Sequence, residues 1–448
     1  MTTSLNKQPG YTMNQGRAVL MLMICITVAL DFARQPIYFL IDPVRATFGM
    51  SDVESSILLG AAFALPLTVM SLIGGWLSDR GSRRWLVGAA MVCWAAGAAL
   101  FALSGAYAGL VAGRVLVGLG AGIVVPVAMT WISDAFTEDK RGKANGLYFI
   151  ILSVGPAYSG AITGTIQKYA ESGVGNYVGL LKDLEPWRLT LFVLAIPTLI
   201  FIPLVFFLKD LRQSAMSQSA GDPDSASDNT ASTHSWNMAA LMIFGIALMV
   251  MVDTANITWM PTVLKRKFGW DAQQVGYAFG AVATAAGVLG PLVGGWMGDK
   301  VYARHGVAGR LWLSAVSAGL CSLLLFAYFS DSQAVLIVAL ALNGVLTVAV
   351  LVMGYVGLQA ILPSHRRGFG TGLMAAANSL VGAAGPTLVA LVAERMDGSG
   401  AALGTATAVV CPALALVATG AMAASARAVG RGSRPLHHLN NRTAQHHN

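Results

Sequence analysis

The chain has 448 residues, of which 55% are apolar or aromatic and only 11% are charged, with a mean hydropathy of +0.64. Soluble domains normally carry about 25% charged residues, so this low charge excludes an ordinary water-soluble enzyme. The high apolar fraction excludes a disordered chain. The net charge of +8 fits basic loops beside anionic lipid headgroups, so it does not indicate a nucleic-acid partner.

Apolar windows of roughly 20 residues, the length that an α-helix needs to cross a bilayer, recur along the chain. They predict an all-α membrane protein with twelve transmembrane helices. The expected spans are 18–40, 55–78, 85–105, 107–132, 144–166, 187–208, 237–262, 274–298, 310–330, 334–361, 370–393 and 401–425.

Most of the 29 Lys and Arg residues fall on the same side of the membrane when the N-terminus is placed in the cytoplasm. Because basic loops stay cytoplasmic, we expect a multi-pass protein of the cell inner membrane with both termini in the cytoplasm. The polar segments are then a cytoplasmic N-terminal tail at 1–17, a flexible linker at 209–236 and a disordered tail at 426–448. The four cysteines occur singly and without the spacing of metal ligands, and the histidines of the last segment lie in a disordered tail. We therefore expect no functional metal site and no cofactor.

The two halves of the chain repeat one pattern. Gly74–Arg80 (GGWLSDR) matches Gly294–Lys300 (GGWMGDK) at an offset of 220 residues. The repeat predicts two pseudo-symmetric six-helix bundles, at 18–208 and 237–425. Two such bundles can rock around a site held between them, which is alternating access.

The segment 74–85 (GGWLSDRGSRRW) resembles the loop signature between the second and third helices of the major facilitator superfamily. This resemblance implies the major facilitator fold and a secondary active transporter that is not an enzyme and works as a monomer. It also implies that Gly75 and the charged residues near this loop, with a weaker mirror in the second half, act as a gate. The charged residues are Asp79, Arg80, Arg83, Arg84, Asp134 and Asp299.

Within the superfamily, the run from Leu30 to Leu86 and the pair Trp187-Arg188 look most like bacterial Spinster-type transporters. Those proteins carry Asp-Arg-Gln in the first helix and Gly-Glu-Ala in the fourth. This chain has Ala33-Arg34-Gln35 and Gly120-Ala121-Gly122 at these places, so both acidic positions are vacant. The substrate and the coupling ion of that subfamily therefore do not carry over.

Four charged residues, Asp31, Arg34, Arg114 and Asp253, are expected at similar depth in the outer half of the membrane. A charge at that depth costs a few kcal/mol and needs a partner, a wet cavity or a function. We expect Asp31 and Asp253 to couple transport to protons, and Arg114 and Arg34 to bind an anionic substrate. The alternative is a fixed ion pair of Asp31 with Arg114 or Arg34 that only locks helices together.

Aromatic residues at comparable depth are candidates to line the cavity and stack on the substrate: Tyr38, Tyr148, Tyr158 and Trp259. Small residues and one proline of the fourth and fifth helices should permit close helix packing: Gly118, Gly120, Gly155, Pro156 and Gly160.

The sequence thus predicts proton-coupled movement of a small organic anion or amphipathic solute across the bilayer. An alternative is a drug or metabolite exporter that exchanges its cargo for protons, since Gly155, Pro156 and Gly160 partly match the fifth-helix motif of such antiporters. A receptor that does not transport, built on a transporter fold, stays open. An intramembrane enzyme is disfavoured because no histidine lies in a predicted span.

Overall fold

The computed structural model describes residues 12–136, 138–173, 184–208, 229–362, 366–396 and 400–432, and every regular element in these ranges is helical. Most of the expected linker at 209–236 and the end of the expected tail at 426–448 lie outside the described residues. The helices of the first half are α1 Met13–Arg34, α2 Ile37–Phe48, α3 Asp52–Leu59, α4 Ala61–Arg80, α5 Arg83–Leu103, α6 Tyr107–Ala135, α7 Glu138–Glu171 and α8 Pro186–Phe206.

The second half continues with five further helices and one short 3-10 turn at Phe326–Phe329. These helices are α9 Asn229–Phe268, α10 Ala272–Leu325, α11 Gln333–Ile361, α12 Arg367–Met396 and α13 Gly400–Gly432.

Eleven stretches among the described residues are long and apolar enough to cross a membrane. One of them, Ala272–Phe329, has 58 residues, which at about 1.5 Å of rise per residue is far longer than the bilayer core. Gly306 interrupts it with a left-handed φ of 63°, which favours glycine. Divided at this kink, the stretch supplies two spans, and the total agrees with the twelve expected.

The first two spans are each broken into two helices, where the sequence predicts one continuous helix. Between α1 and α2 the break falls at Gln35-Pro36, because proline has no N–H to donate and its ring displaces the carbonyl four residues earlier. Between α3 and α4 it falls at Gly60, whose φ of −110° and ψ of −91° are not helical. Both breaks release backbone carbonyls that need new donors in a membrane.

The chain divides into two compact units. Unit 1 comprises Met1–Ala226 with Leu264–Gly280, and unit 2 comprises Ser227–Val263 with Ala281–Asn448. The short segment Leu264–Gly280 holds the end of α9 and the start of α10, so it belongs to the second half by sequence and to unit 1 by its contacts.

A close crossing of α5 and α6 helps to build the core of unit 1. A Cβ added at Gly97 would lie 2.7 Å from the carbonyl oxygen of Gly113, and one added at Gly113 would lie 2.7 Å from that of Gly97. The missing side chains thus let the two backbones touch, as small residues do where membrane helices pack. Trp94 and Trp131 are fully buried in the core of unit 1.

Candidate functional site

The carboxylate of Asp31 lies at the centre of a polar cluster inside unit 1. Arg34 Nη2 donates to Asp31 Oδ1 at 2.8 Å, and the Tyr158 hydroxyl donates to Asp31 Oδ2 at 2.7 Å. The Ser159 hydroxyl donates to the backbone carbonyl of Asp31 at 3.2 Å. We call Asp31, Arg34 and Tyr158 the Asp31 cluster; it joins the last turn of α1 to the middle of α7.

Burial differs sharply within the Asp31 cluster. The side chain of Asp31 is fully buried, whereas the side chain of Arg34 remains 24% exposed. A buried carboxylate is stable as an anion only while its donors stay in place. Protonation of Asp31 would therefore weaken its ion pair with Arg34.

A second polar contact lies below the Asp31 cluster on the same two helices. The Thr27 hydroxyl donates to the backbone carbonyl of Met23 at 2.9 Å and lies 3.1 Å from the hydroxyl of Tyr148, which is fully buried. Tyr148 therefore braces α7 against α1 and is enclosed by protein.

Gly155 makes room for the carboxylate. A Cβ added there would lie only 2.0 Å from Asp31 Oδ2, closer than real side-chain carbons approach. The sequence predicts Gly155 as a packing residue, and in the structure the atom that it accommodates is the carboxylate itself.

We therefore expect Gly155→Ala to displace the Asp31 side chain and to lower the thermal stability of the purified protein. Gly146→Ala is the matched control, because Gly146 lies in the same helix and has open space around its Cβ position. Alanine favours helix more than glycine, so the control should be neutral or slightly stabilising. Equal melting temperatures for the two variants would contradict this account of Gly155.

Arg114 bonds to backbone carbonyls, whereas Asp31 is bonded by Arg34 and Tyr158. Its Nε donates to the carbonyl of Leu58 at 3.0 Å, its Nη1 donates to the carbonyl of Arg34 at 3.2 Å, and its guanidinium lies 4.8 Å from the Phe63 ring centre. Both carbonyls lie in the last turn before a helix break, so Arg114 satisfies backbone groups that the breaks release. The ion pair of Asp31 is made with Arg34.

Replacing this arginine should weaken unit 1 as a whole. Arg114→Met keeps the length of the side chain but leaves two buried carbonyls unpaired, so we expect a loss of about 3 kcal/mol in unfolding free energy. The measurement is thermal unfolding of the purified variant beside Arg84→Met, which removes an exposed arginine. If the two variants melt together, Arg114 does not brace the breaks.

The residues predicted to form a gate are only partly described. Arg83 Nη2 pairs with Asp134 Oδ2 at 2.6 Å, which connects the start of α5 to the end of α6. Asp299 pairs with Arg310 at 2.7 Å inside unit 2, and Arg84 is exposed. The backbones of the other three lie in α4, but their side chains are outside the described part of the structure: Gly75, Asp79 and Arg80.

The remaining candidate aromatic residues make internal contacts. The Tyr38 hydroxyl donates to the carbonyl of Leu59 at 3.2 Å, and the Trp259 indole N–H donates to the carbonyl of Pro386 at 2.9 Å within unit 2. Asp253 also lies in unit 2, on α9, with a partly exposed side chain. No ion pair found among the described residues includes it.

The glycines predicted for helix packing lie against neighbouring helices of unit 1. A Cβ added at Gly118 would meet the Phe63 carbonyl at 2.5 Å, and one added at Gly160 would meet the Phe39 ring at 2.6 Å. At Gly120 it would meet the Trp94 ring at 2.3 Å. Pro156 lies within α7, next to Gly155.

Sequence reasoning missed a charged contact on the segment Leu264–Gly280. Arg266 Nη2 lies 2.9 Å from Asp42 Oδ1 and 3.1 Å from Asp52 Oδ1, and its Nη1 lies 3.2 Å from Asp52 Oδ2. Arg45 also pairs with Asp52, at 3.2 Å. We call Arg266, Asp42 and Asp52 the Arg266 clasp. The sequence signal for it was the basic run 265–267, which falls on the side of the membrane where few Lys and Arg residues are expected.

Further contacts fix the same segment to unit 1. Lys265 donates to the carbonyl of Phe39, and Lys168 pairs with Asp271 at 3.4 Å. The Gln274 backbone N–H, and after it Lys168, hold the pKa of the Asp271 carboxyl below its usual value. Glycines allow the backbones to touch, since a Cβ added at Gly276 would lie 2.4 Å from the carbonyl oxygen of Gly160.

A polar contact at the start of α8 ties three helices together. Arg188 pairs with Glu185 at 2.9 Å and donates to the carbonyl of Ser104, while the Thr47 hydroxyl donates to Glu185 at 2.8 Å. Partial burial acts to raise the pKa of the Glu185 carboxyl, but the hydrogen bonds from Thr47 and Arg188 outweigh it and lower that pKa. The guanidinium also stacks 4.3 Å above Trp187.

Comparison with known proteins identifies the family. The model for the Major Facilitator Superfamily matches residues 22–386 and, again, 242–438. The chain belongs to the Major Facilitator Superfamily. It is therefore a multi-pass membrane transporter and not an enzyme.

Three known proteins are similar to this chain in sequence. An efflux pump of the superfamily from Mycolicibacterium smegmatis is 24% identical over 84% of this chain and 85% of its own length. The protein spinster of Drosophila melanogaster is 26% identical over 59% of this chain and 43% of its own length. A protein from Cupriavidus necator, named a probable sulfoacetate transporter, is 25% identical over 59% of this chain and 60% of its own length.

A solved structure shares the fold of this superfamily member. It is a bacterial homologue of the human lysosomal transporter Spinster, in an inward-facing and occupied conformation. The TM-score is 0.77 with 19% identity, over 94% of this chain and 98% of the other. The chain is thus similar to Spinster-type transporters, as the run from Leu30 to Leu86 and the Trp187-Arg188 pair predict.

Proposed function

We propose that this transporter couples the movement of a small organic anion to protons through the Asp31 cluster. The observation that carries the proposal is a fully buried carboxylate at membrane depth, held by one partly exposed arginine and one tyrosine. Such a carboxylate changes its charge when its donors move or when water reaches it. Proton binding and arginine release are then two aspects of one event.

Arg34 is the residue that we expect to meet the substrate. Its guanidinium is free to form a bidentate contact with a carboxylate or sulfonate once Asp31 is protonated, and it stays charged throughout. Arg114, which the sequence also predicts to bind the anion, is buried and uses two of its nitrogens on backbone carbonyls. The name of the Cupriavidus necator relative, which refers to an organic anion, supports this substrate class.

Export in exchange for protons is the second candidate. It is favoured by the efflux pump of Mycolicibacterium smegmatis, which matches this chain over most of both lengths. The same Asp31 cluster serves either direction. In uptake, protonation of Asp31 releases Arg34 to an anion, whereas in export a cationic cargo and the proton compete for the Asp31 carboxylate. Asp253, partly exposed on α9, is the candidate for a second proton site.

Asp31→Asn should abolish proton-coupled flux, because the amide stays neutral and cannot exchange a proton. The assay is a pH-sensitive dye inside proteoliposomes, with sulfoacetate, other small organic acids and cationic drugs applied in turn. Tyr158→Phe should slow the flux, since it removes one donor to the carboxylate. Asp331→Asn, in the loop before α11, is the control. Full substrate-driven pH change in Asp31→Asn would overturn the proposal.

We also propose a role for the Arg266 clasp, as the contact that closes the outer side of the transporter in alternating access. Two carboxylates face one guanidinium, so separating them leaves partly buried charges to be hydrated again. This makes the clasp a reversible barrier, which opens when the segment Leu264–Gly280 leaves the rest of unit 1.

Arg266→Gln should open the clasp, because Asp42 and Asp52 would lose their shared cation. The measurement is labelling of Thr165→Cys by a membrane-impermeant maleimide in whole cells, since Thr165 contacts Tyr277 of the segment. Labelling should rise several-fold over the same cysteine in the parent, while Lys267→Gln, one residue away, should leave it unchanged. Unchanged labelling in Arg266→Gln would show that the clasp does not close this side.

A further inference from the structure

Unit 1 contains a small pocket that the proposed function does not use. It lies among α1, α2, α5, α6 and α8, and its volume is about 20 Å³. Apolar side chains such as Phe32, Phe101 and Leu191 form most of its wall. A space of roughly 10–15 Å³ holds one water, so this pocket accepts a single occupant of about that size.

The polar residues of the wall share one property. Trp94, Arg114 and Thr198 all line the pocket and are at most 2% exposed. Each has a buried polar atom without a hydrogen-bond partner among the described residues: Trp94 Nε1, Arg114 Nη2 and Thr198 Oγ1. The two nitrogens can only donate hydrogen bonds, and the hydroxyl can donate one as well. An occupant that satisfies these groups must therefore be a hydrogen-bond acceptor.

The charge at the pocket is also uncompensated. Asp31 is paired with Arg34, and no carboxylate forms an ion pair with Arg114 within the described ranges. A guanidinium stays protonated in proteins, and an unpaired charge buried at membrane depth is costly. A water would satisfy the hydrogen bonds but would leave this charge unbalanced.

We infer that the pocket is a binding site for a monovalent inorganic anion of halide size, such as chloride. Arg114 Nη2 supplies the charge and Thr198 Oγ1 a neutral donor, while the apolar wall excludes large hydrated or multiply charged ions. Because Arg114 also holds the carbonyls of both helix breaks, anion binding stabilises unit 1. Asp31, Arg34 and Tyr158 do not line the pocket, so the inference does not depend on the proposed substrate.

The test is thermal unfolding of the full-length purified protein as sodium chloride replaces sodium gluconate at constant ionic strength. We expect the melting temperature to rise with chloride and to saturate, whereas an effect of ionic strength alone would not distinguish the two salts. Loss of one hydrogen bond to an ion changes affinity by roughly tenfold, so Thr198→Val should shift the chloride midpoint by about that factor. Thr198→Ser, which restores the hydroxyl, should return the midpoint towards the parent value.

Thr163→Val is the matched control, because Thr163 is also buried in unit 1 with an unpartnered hydroxyl but does not line the pocket. It should keep the full chloride response. Equal stability in chloride and gluconate would mean that the pocket holds water and would overturn the inference. So would a chloride response that Thr198→Val retains in full.

Discussion

The structure of unit 1 depends on one constraint, which is that a backbone carbonyl released inside a membrane must find a donor. The first two spans break at Gln35-Pro36 and at Gly60, and Arg114 supplies the donors to Arg34 and Leu58. A single buried side chain thereby holds two broken helices against α6. The break after α1 also leaves Asp31 and Arg34 in the last turn before the gap, where a short rearrangement can change their contacts.

This arrangement separates two tasks that the sequence assigns to the same charges. Arg114 uses Nε and Nη1 on the carbonyls at the two breaks, and its Nη2 has no hydrogen-bond partner among the described residues. Arg34 is held by one ion pair and keeps part of its surface open, so it can exchange partners. The two arginines differ in burial and in hydrogen bonding, not in the chemistry of the side chain.

Hydropathy and the internal repeat predict the number of spans, because a membrane imposes length and apolarity on each helix locally. The Asp31–Arg34 pair could also be predicted from the sequence, since residues three apart share a helix face. The partners of Arg114 could not be predicted, because they are backbone carbonyls, which every residue has. Tyr158 and Gly155 meet Asp31 only through the packing of α7 on α1, and the Arg266 clasp joins residues more than two hundred positions apart.

The central claim is that Asp31 takes up and releases a proton, and infrared difference spectroscopy across a pH titration tests it without a known substrate. The account predicts a carboxylic-acid carbonyl band that appears in the parent protein as the pH falls and is missing in Asp31→Asn. It should persist in Asp331→Asn. A band that keeps its intensity and midpoint in Asp31→Asn would contradict the assignment of the coupling proton to this residue.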